Sequence, residues 1–418
     1  MKRAWLSAFI FMVPCGPAPA AGAPELHGFV QANYASRLGG PQNNKPQSGD
    51  FLLGEERLQL QLSGTAPGGG AGYFAKTDFL REEANAASEV DVREAYISYA
   101  GGALDLRVGR QIQTWGVGDL LFINDLFPKN YAALFSGRPM EYLKTGAGSL
   151  KATFYSEKAS LDLVATPVFE PDQFPDSRSF FLYDPFSQVT DRAEDRPRRD
   201  AKNAELAARF TGPVLGFDAA LYAYRGFYRT PSVEPDSLTA PTRLSFIYPR
   251  LYVSGASLQG NAAGGVLSLE AGFYDSRQDR AGTDPLIPNS QTRFLAGYQR
   301  TPWTDFTAGI QYYGEYMHRY GRYEASLPAG LPKQDRLRQL LTLRLTQFLK
   351  YQTWKLSLFS FWSPTDNDFY LIPEAAWRFT DELTATLGVN VFGGASGTTF
   401  LGQLDRNDNV YFSMRYEF

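Results

Sequence analysis

VYFSMRYEF, residues Val410–Phe418, alternates between an apolar and a polar face. The apolar face carries five side chains, those of Val410, Phe412, Met414, Tyr416 and Phe418. Alternate side chains of a β-strand point to opposite faces, so this period of two predicts a strand with one wholly apolar side. The same period recurs in residues 383–391 and 58–62. The alternation is therefore typical of the chain and favours an all-β fold.

The period extends to most of the sequence beyond the N-terminal segment. We predict eighteen strands, at residues 26–37, 51–63, 71–81, 89–99, 103–114, 142–156, 160–169, 203–211, 216–228, 249–259, 265–276, 290–301, 305–318, 336–350, 353–363, 368–379, 383–392 and 409–418.

The lengths of the connections predict how these strands are arranged. Connections after even-numbered strands are short, whereas most of those after odd-numbered strands are long and polar, such as residues 170–202 and 229–248. This alternation is typical of an up-and-down transmembrane β-barrel with short periplasmic turns and long extracellular loops. A count of 16 strands also fits, and a soluble all-β protein is the alternative class.

The N-terminal segment indicates the compartment. Lys2 and Arg3 precede a short apolar run that ends near Ala18-Pro19-Ala20, which is typical of a secretory signal peptide at residues 1–20. We expect residues 21–418 to form a single barrel domain, with no thiol left once Cys15 is removed. The formal net charge of −3 does not favour a nucleic-acid partner.

The C-terminal stretch resembles the signal by which Gram-negative outer-membrane proteins are recognised by the barrel-assembly machinery, with Tyr416 and Phe418 as its aromatic positions. Two further stretches resemble uncharacterised proteobacterial porin-like families. They are Arg107-Val108-Gly109-Arg110-Gln111 leading to Trp115-Gly116, Asp119 and Asp125-Leu126-Phe127-Pro128, and Gly402-Gln403-Leu404-Asp405-Arg406-Asn407-Asp408-Asn409. The resemblance implies a channel in the bacterial outer membrane, in contact with lipid and lipopolysaccharide, and it names no solute and no oligomeric state.

Catalytic and cofactor sites have little support in the sequence. His27 lies at the start of the first predicted strand and His318 at the end of the thirteenth, so we expect them at opposite rims of the barrel. Neither has a partner motif for nucleophilic catalysis, and we therefore predict no enzyme activity and no catalytic residue. We expect no cofactor and no protein metal site. Ca²⁺ at the outer loops, near 366–368 and 405–409, is a secondary hypothesis, because Asp and Asn clusters more often serve turns.

The segment 116–139 is unusually apolar for a loop. We therefore predict that it folds into the barrel and narrows it, with Asp119, Asp125, Lys129 and Arg138 facing the permeation path. The alternative is a loop that covers its neighbours outside the barrel.

Strand alternation also predicts which charges line the lumen. The basic set is Arg338, Arg344, Lys355, Arg378 and Arg415, and the acidic set is Asp162, Glu205, Asp218 and Glu270. The two sets fall on nearly opposite walls, which would give a field across the pore unless the charges pair locally along each wall.

These features together predict an outer-membrane porin through which small hydrophilic solutes diffuse, passively or with some preference. The alternative function is a sheath around a periplasmic partner, such as a multihaem cytochrome conduit or an export assembly. A sheath needs a wide lumen, so the apolar loop favours the channel.

Overall fold

The computed structural model describes residues 24–39, 50–66, 69–83, 87–237 and 240–418. The predicted signal peptide at residues 1–20 lies outside the described residues. Eighteen antiparallel strands form one closed sheet, in which the first strand pairs with both the second and the last. The barrel predicted from the sequence is therefore confirmed, with 18 strands rather than 16.

The barrel strands are β1 (Glu25–Arg37), β2 (Phe51–Thr65), β3 (Ala71–Glu82), β4 (Ala87–Gly101), β5 (Leu104–Gln111), β6 (Ala147–Tyr155), β7 (Ser160–Thr166), β9 (Glu205–Val214), β10 (Phe217–Phe227), β13 (Arg250–Ala262), β14 (Gly265–Ser276), β15 (Gln291–Trp303), β16 (Phe306–Met317), β17 (Leu337–Leu349), β18 (Trp354–Ser363), β19 (Asp368–Arg378), β20 (Leu383–Gly394) and β21 (Asn409–Glu417).

Three short strands lie outside the barrel and were not predicted. They are β8 (Asp191–Asp195), β11 (Ser232–Pro235) and β12 (Arg243–Ile247), and they form a small separate sheet within two of the long loops. Two α-helices, α1 (Tyr131–Phe135) and α2 (Tyr320–Ser326), and three 3₁₀ turns at Met140–Leu143, Ala201–Asn203 and Gly402–Asn407 complete the described elements. None of the described helices is long and apolar enough to cross a membrane.

The barrel has a short-turn end and a long-loop end. Connections such as 215–216, 263–264 and 304–305 lie at the short-turn end, which also holds the start of β1 and the end of β21. Backbone bonds between Gly28 and Phe418, of 3.0 and 2.9 Å, join the last residue to β1. These bonds complete the closure of the sheet at that end.

The outer surface of the barrel is apolar and its interior is polar. Leu221 on β10, Ile310 on β16 and Leu387 on β20 are each more than half exposed on the outside, whereas Asp162 and Glu270 are buried inside. Stacked aromatic pairs stand at the short-turn rim, with ring centroids 4.0 Å apart in Trp303–Phe306 and 5.1 Å apart in Trp354–Trp377. An apolar outside with aromatic residues at its rim is the pattern of a lipid-facing barrel.

Candidate functional site: the inner loop and the cavities around it

The connection between β5 and β6, residues 112–146, lies inside the barrel, and we call it the inner loop. Tyr370 on β19 donates a hydrogen bond of 3.0 Å to the carbonyl oxygen of Leu134. Asn390 and Asn409, on β20 and β21, both donate at 3.2 Å to the carbonyl oxygen of Phe135. Side chains of the wall thus satisfy the carbonyl groups at the end of α1, a segment too short to satisfy them itself.

Apolar packing holds the same part of the inner loop. Phe135 makes edge-on contacts with Tyr370 and Phe392 of the wall, with ring centroids 5.6 and 5.7 Å apart. Ile123, in the middle of the loop, is completely buried. The structure therefore places the apolar segment inside the lumen rather than above the other loops, and its apolar side chains are shielded there from water.

Glu270 on β14 attaches the beginning of the inner loop. Its carboxylate accepts hydrogen bonds from the backbone N–H groups of Val117, Gly118 and Asn124, at 2.8, 3.2 and 2.9 Å, and from the Asn124 side-chain amide. Gly116 has a φ of +78°, and a Cβ there would lie 2.7 Å from the Glu270 carboxylate. A glycine is required at this close approach of the chain to a charged side chain.

A second attachment holds residues 117–121, which we call the Asp119 turn. Gln311 on β16 accepts a hydrogen bond from the Asp119 N–H at 2.7 Å and donates one to its carbonyl oxygen at 2.9 Å. Arg344 on β17 forms a two-point ion pair with the Asp119 carboxylate. Leu120, the next residue, has a φ of +57°, which is unfavourable for a leucine. The fixed position of Asp119 holds this strained turn in place.

A third attachment joins the end of the inner loop to the opposite wall. Arg138 donates to Glu55 of β2 at 2.8 Å, and Glu55 also pairs with Arg57. Glu141 forms an ion pair with Arg415 of β21. Arg138 and Glu141 thus carry opposite charges that are each matched by the wall, which fixes the orientation of the loop.

Asp125 and Lys129 do not face a permeation path, contrary to the sequence-based expectation. They form an ion pair of 2.9 Å in which both side chains are at most 2% exposed. Burial lowers the pKa of the Lys129 ammonium, although the adjacent Asp125 carboxylate opposes that shift. Because the loop folds back on itself here, Asp125 and Lys129 stabilise its own structure. Asp119 and Arg138 are partly exposed and pair with Arg344 and Glu55 of the wall.

The predicted lining charges project inward, but most of them pair with near neighbours. Arg338 lies near Glu315 and Asp366, Lys355 near Glu374, Asp162 near Arg209 and Lys151, and Glu205 near Arg229. Arg378 and Asp218 occupy inward positions at the short-turn end and are exposed. The structure thus shows local pairing along each wall, the second of the two arrangements considered from the sequence.

Among the cavities that the described residues form, three are relevant to the Asp119 turn. A vestibule of about 500 Å³ is formed by the long loops, and an apolar chamber of about 200 Å³ lies deeper, against the Asp119 turn. Glu315, Arg338 and Phe400 line both of them. A short-turn pocket of about 170 Å³ lies on the other side of Asp119, Gln311 and Thr342. The Asp119 turn therefore separates a cavity on the long-loop side from one on the short-turn side.

Several residues that line the lumen were not among those predicted from the sequence. Arg293 on β15 and Glu315 on β16 are direct cross-strand partners and both line the lumen. The alternation that identified Arg344 would also have identified them. The role of Gln311 could not be predicted from the sequence. Uncharged polar side chains are common at inward positions, and its partner Asp119 lies 192 residues away.

The described residues contain no group of three or more His, Cys, Asp or Glu side chains that could hold a metal ion. Two carboxylates of the hypothetical calcium loops bind protein groups instead. Asp366 pairs with Arg338 at 2.7 Å, and Asp408 accepts from the N–H of Phe392 at 2.7 Å. Both contacts join a loop to a neighbouring strand, and Ca²⁺ at the outer loops stays a prediction.

Comparison with solved structures shows the fold of outer-membrane porins. Pseudomonas aeruginosa OccD3 (OpdP) matches with a TM-score of 0.54 and 12% identity, covering 96% of this chain and 93% of its own. Pseudomonas aeruginosa OccK11 (OpdR) matches with a TM-score of 0.52 and 9% identity, over 95% and 97% of the two chains. A triple mutant of the Rhodopseudomonas blastica porin has a TM-score of 0.44 and 11% identity, over 95% and 100%.

The family model described as "Protein of unknown function (DUF1302)" matches residues 37–418. No curated protein matches the chain.

Proposed function

The chain belongs to the DUF1302 family, and we propose that it is an outer-membrane channel through which small solutes diffuse passively along the inner loop. The observation that carries the proposal is the position of the inner loop. It lies within a closed barrel, beside cavities that lie on both sides of the Asp119 turn. A narrow, partly occupied lumen suits selection of small solutes by shape and lining chemistry.

The apolar outer surface supports the membrane location. A face that carries Leu221, Ile310 and Leu387 in exposed positions would be unfavourable in water and is favourable in lipid. In this proposal the short-turn end faces the periplasm, and the long loops face the outside and contact lipopolysaccharide. Recognition of Tyr416 and Phe418 by the barrel-assembly machinery belongs to the same proposal.

A sheath for a periplasmic protein is less well supported. Such a function requires a lumen wide enough for a second polypeptide. Here the inner loop reaches from Glu270 and Arg344 on one wall to Glu55 and Arg415 on the other. The space that a partner would need is already occupied by the chain itself.

The test is the single-channel conductance of the full chain in planar lipid bilayers. We expect discrete, small conductance steps in KCl, because the inner loop narrows the lumen. A matched variant, Thr386→Gln, changes an inward side chain that lines none of the three cavities and should leave the steps unchanged. Protein that inserts and never conducts would overturn the proposal.

A further inference from the structure

The charged groups beside the apolar chamber cancel one another. Glu315 of β16 lies 3.5 Å from Arg293 of β15 and 3.8 Å from Arg338 of β17, and Arg338 also pairs with Asp366 at 2.7 Å. Two guanidinium groups and two carboxylates give this cluster a formal charge of zero. An ionised ligand would lose hydration on entering the chamber and would find the charges there already paired. The chamber therefore favours an uncharged ligand.

The rest of the chamber wall is largely aromatic and aliphatic. The barrel contributes Leu340, Phe361 and Tyr370, and the inner loop contributes Leu121 and Phe135. The rings of Phe361 and Tyr370 stack with their centroids 5.7 Å apart, and Phe135 meets Tyr370 edge-on. A further ring gains from stacked and edge-on contacts with such a wall. The body of the ligand should therefore be apolar and aromatic.

The volume of the chamber limits the size of that body. A dry cavity of roughly 150 Å³ with apolar walls holds a benzene-sized molecule. The chamber, of about 200 Å³, therefore suits one ring with a short substituent.

Two hydroxyl groups of the chamber wall remain able to bind a ligand. Those of Tyr313 and Tyr370 already donate to other groups of the protein. Those of Tyr131, on α1, and Thr230, in the loop after β10, also line the chamber, and neither hydroxyl bonds to another described residue. Either group can pair with one hydroxyl of a ligand, whereas most of the hydroxyl groups of a sugar would stay unpaired against leucine and phenylalanine side chains.

We propose that the apolar chamber binds a small uncharged amphiphile that carries one apolar ring and one hydroxyl group. The ring would lie against Leu340 and Phe361, and the hydroxyl group would pair with the hydroxyl of Tyr131 or Thr230. The inference rests on the proposed channel function and names the class of solute that the channel would take.

Access to the chamber is from the long-loop side. Glu315, Arg338 and Phe400 line both the vestibule and the chamber, so the two cavities adjoin there. On the other side, Leu120 and Leu121 of the Asp119 turn line the chamber. A solute that enters from the vestibule would therefore bind immediately before the constriction.

The test compares how solutes added to the long-loop side block the single-channel current of the full chain in planar bilayers. The fraction of time blocked by benzyl alcohol should rise with concentration and saturate. Benzoate and benzylammonium carry a charge and myo-inositol has no apolar ring, so each should block for a much smaller fraction of time at either polarity of the voltage. Equal or greater blocking by either ion would overturn the uncharged class, and equal or greater blocking by myo-inositol would overturn the apolar one.

The position of the ring is tested at Leu340. Leu340→Gln should lower the fraction blocked by benzyl alcohol by about fivefold through the loss of apolar contact, and Leu340→Met should retain it. Thr386→Gln is the control for the introduced amide. Benzyl alcohol also partitions into the lipid, but that effect is the same for every variant, so differences between variants report the chamber alone.

The hydroxyl contact is tested by Tyr131→Phe combined with Thr230→Val, which removes both hydroxyl groups and nearly keeps the size of the side chains. The double variant should lower blocking by benzyl alcohol by about fivefold and leave blocking by toluene, which has no hydroxyl group, unchanged. Unaltered blocking by benzyl alcohol in the double variant would overturn the hydroxyl contact.

The charge balance is tested by Arg338→Gln, which leaves two carboxylates and one guanidinium group beside the chamber. Benzylammonium should then block more than benzoate. No change in the order of the two ions would overturn the role given to the balanced cluster. Blocking by benzyl alcohol that is unaltered in Leu340→Gln would overturn the chamber as the binding site while leaving the channel function intact. Absence of any conductance would instead overturn the channel function itself.

Discussion

Arg344 connects the barrel wall to the constriction through one ion pair with Asp119. In Arg344→Glu two carboxylates would face each other across that contact, and their repulsion should loosen the Asp119 turn. We expect a larger or more strongly fluctuating conductance and a reversal potential shifted toward cations. Membrane insertion should be normal, because the side chain faces the lumen and not lipid. An unchanged conductance would show that the Asp119 turn does not limit flow.

The control for Arg344→Glu is the charge exchange Asp119→Arg combined with Arg344→Glu. The exchange restores opposite charges at the same two positions, so it should return the conductance toward that of the wild type. If the double variant has the same conductance as Arg344→Glu alone, the wild-type ion pair does not hold the Asp119 turn in place.

Glu270 attaches the start of the inner loop to the wall by accepting three of its backbone hydrogen bonds. Glu270→Ala would leave the N–H groups of Val117, Gly118 and Asn124 without their acceptor. Loss of hydrogen bonds to a buried carboxylate should weaken this attachment by about 2–4 kcal/mol. We expect faster protease cleavage of the loop in detergent-solubilised barrels, whereas Asp218→Ala, at an exposed inward position, should be cleaved as slowly as the wild type. Equal cleavage rates would refute the role given to Glu270.

The inner loop as an element is the part of the chain that narrows the lumen. Deletion of residues 120–134 removes all of α1 except Phe135, together with the buried side chains of Leu121, Ile123 and Leu134. Because the strands keep their own hydrogen bonds, the barrel should still assemble and its conductance should rise. A deletion variant that assembles with wild-type conductance and wild-type solute exclusion would place the constriction elsewhere.

The last strand, β21, closes the barrel against β1. Its outward side chains Phe412, Met414 and Tyr416 are 46%, 40% and 50% exposed, and Phe418 bonds to Gly28. We expect Phe418→Ser to lower the amount of folded protein in the outer membrane and to leave periplasmic degradation products. The measurement is heat-modifiable migration of membrane fractions, and normal levels there would contradict an assembly role for Phe418.

Strand positions followed from the sequence because a half-buried strand shows its period directly. The prediction of residues 265–276 coincides with β14, and most other boundaries differ by a few residues. The strands β8, β11 and β12 were missed because they are short and pair only with one another across two long loops. The partners of the lining charges were also missed, since Asp119 and Arg344 are 225 residues apart. Alternation shows which face a residue occupies and carries no information about its contacts across the lumen.

The molecule as a whole balances its charges locally. Arg209 pairs with Asp162 on one wall, and Arg338 lies near Glu315 on the other, so no large field of one sign spans the lumen. We expect a reversal potential close to zero for the wild type in a KCl gradient. Strong selectivity for either ion would show that unpaired groups such as Arg378 and Asp218 dominate permeation.

The reach of the inner loop also bears on the order of assembly. Phe135 bonds to Asn409, which follows it by 274 residues, and Asn33, near the start of the chain, bonds to Gly137. The native position of this loop therefore exists only when the first and last strands are both present. Contacts so distant in sequence form slowly, because the intervening chain must be ordered first. We expect the inner loop to lie within the incomplete sheet before β21 pairs with β1, so that this last strand pairing encloses it.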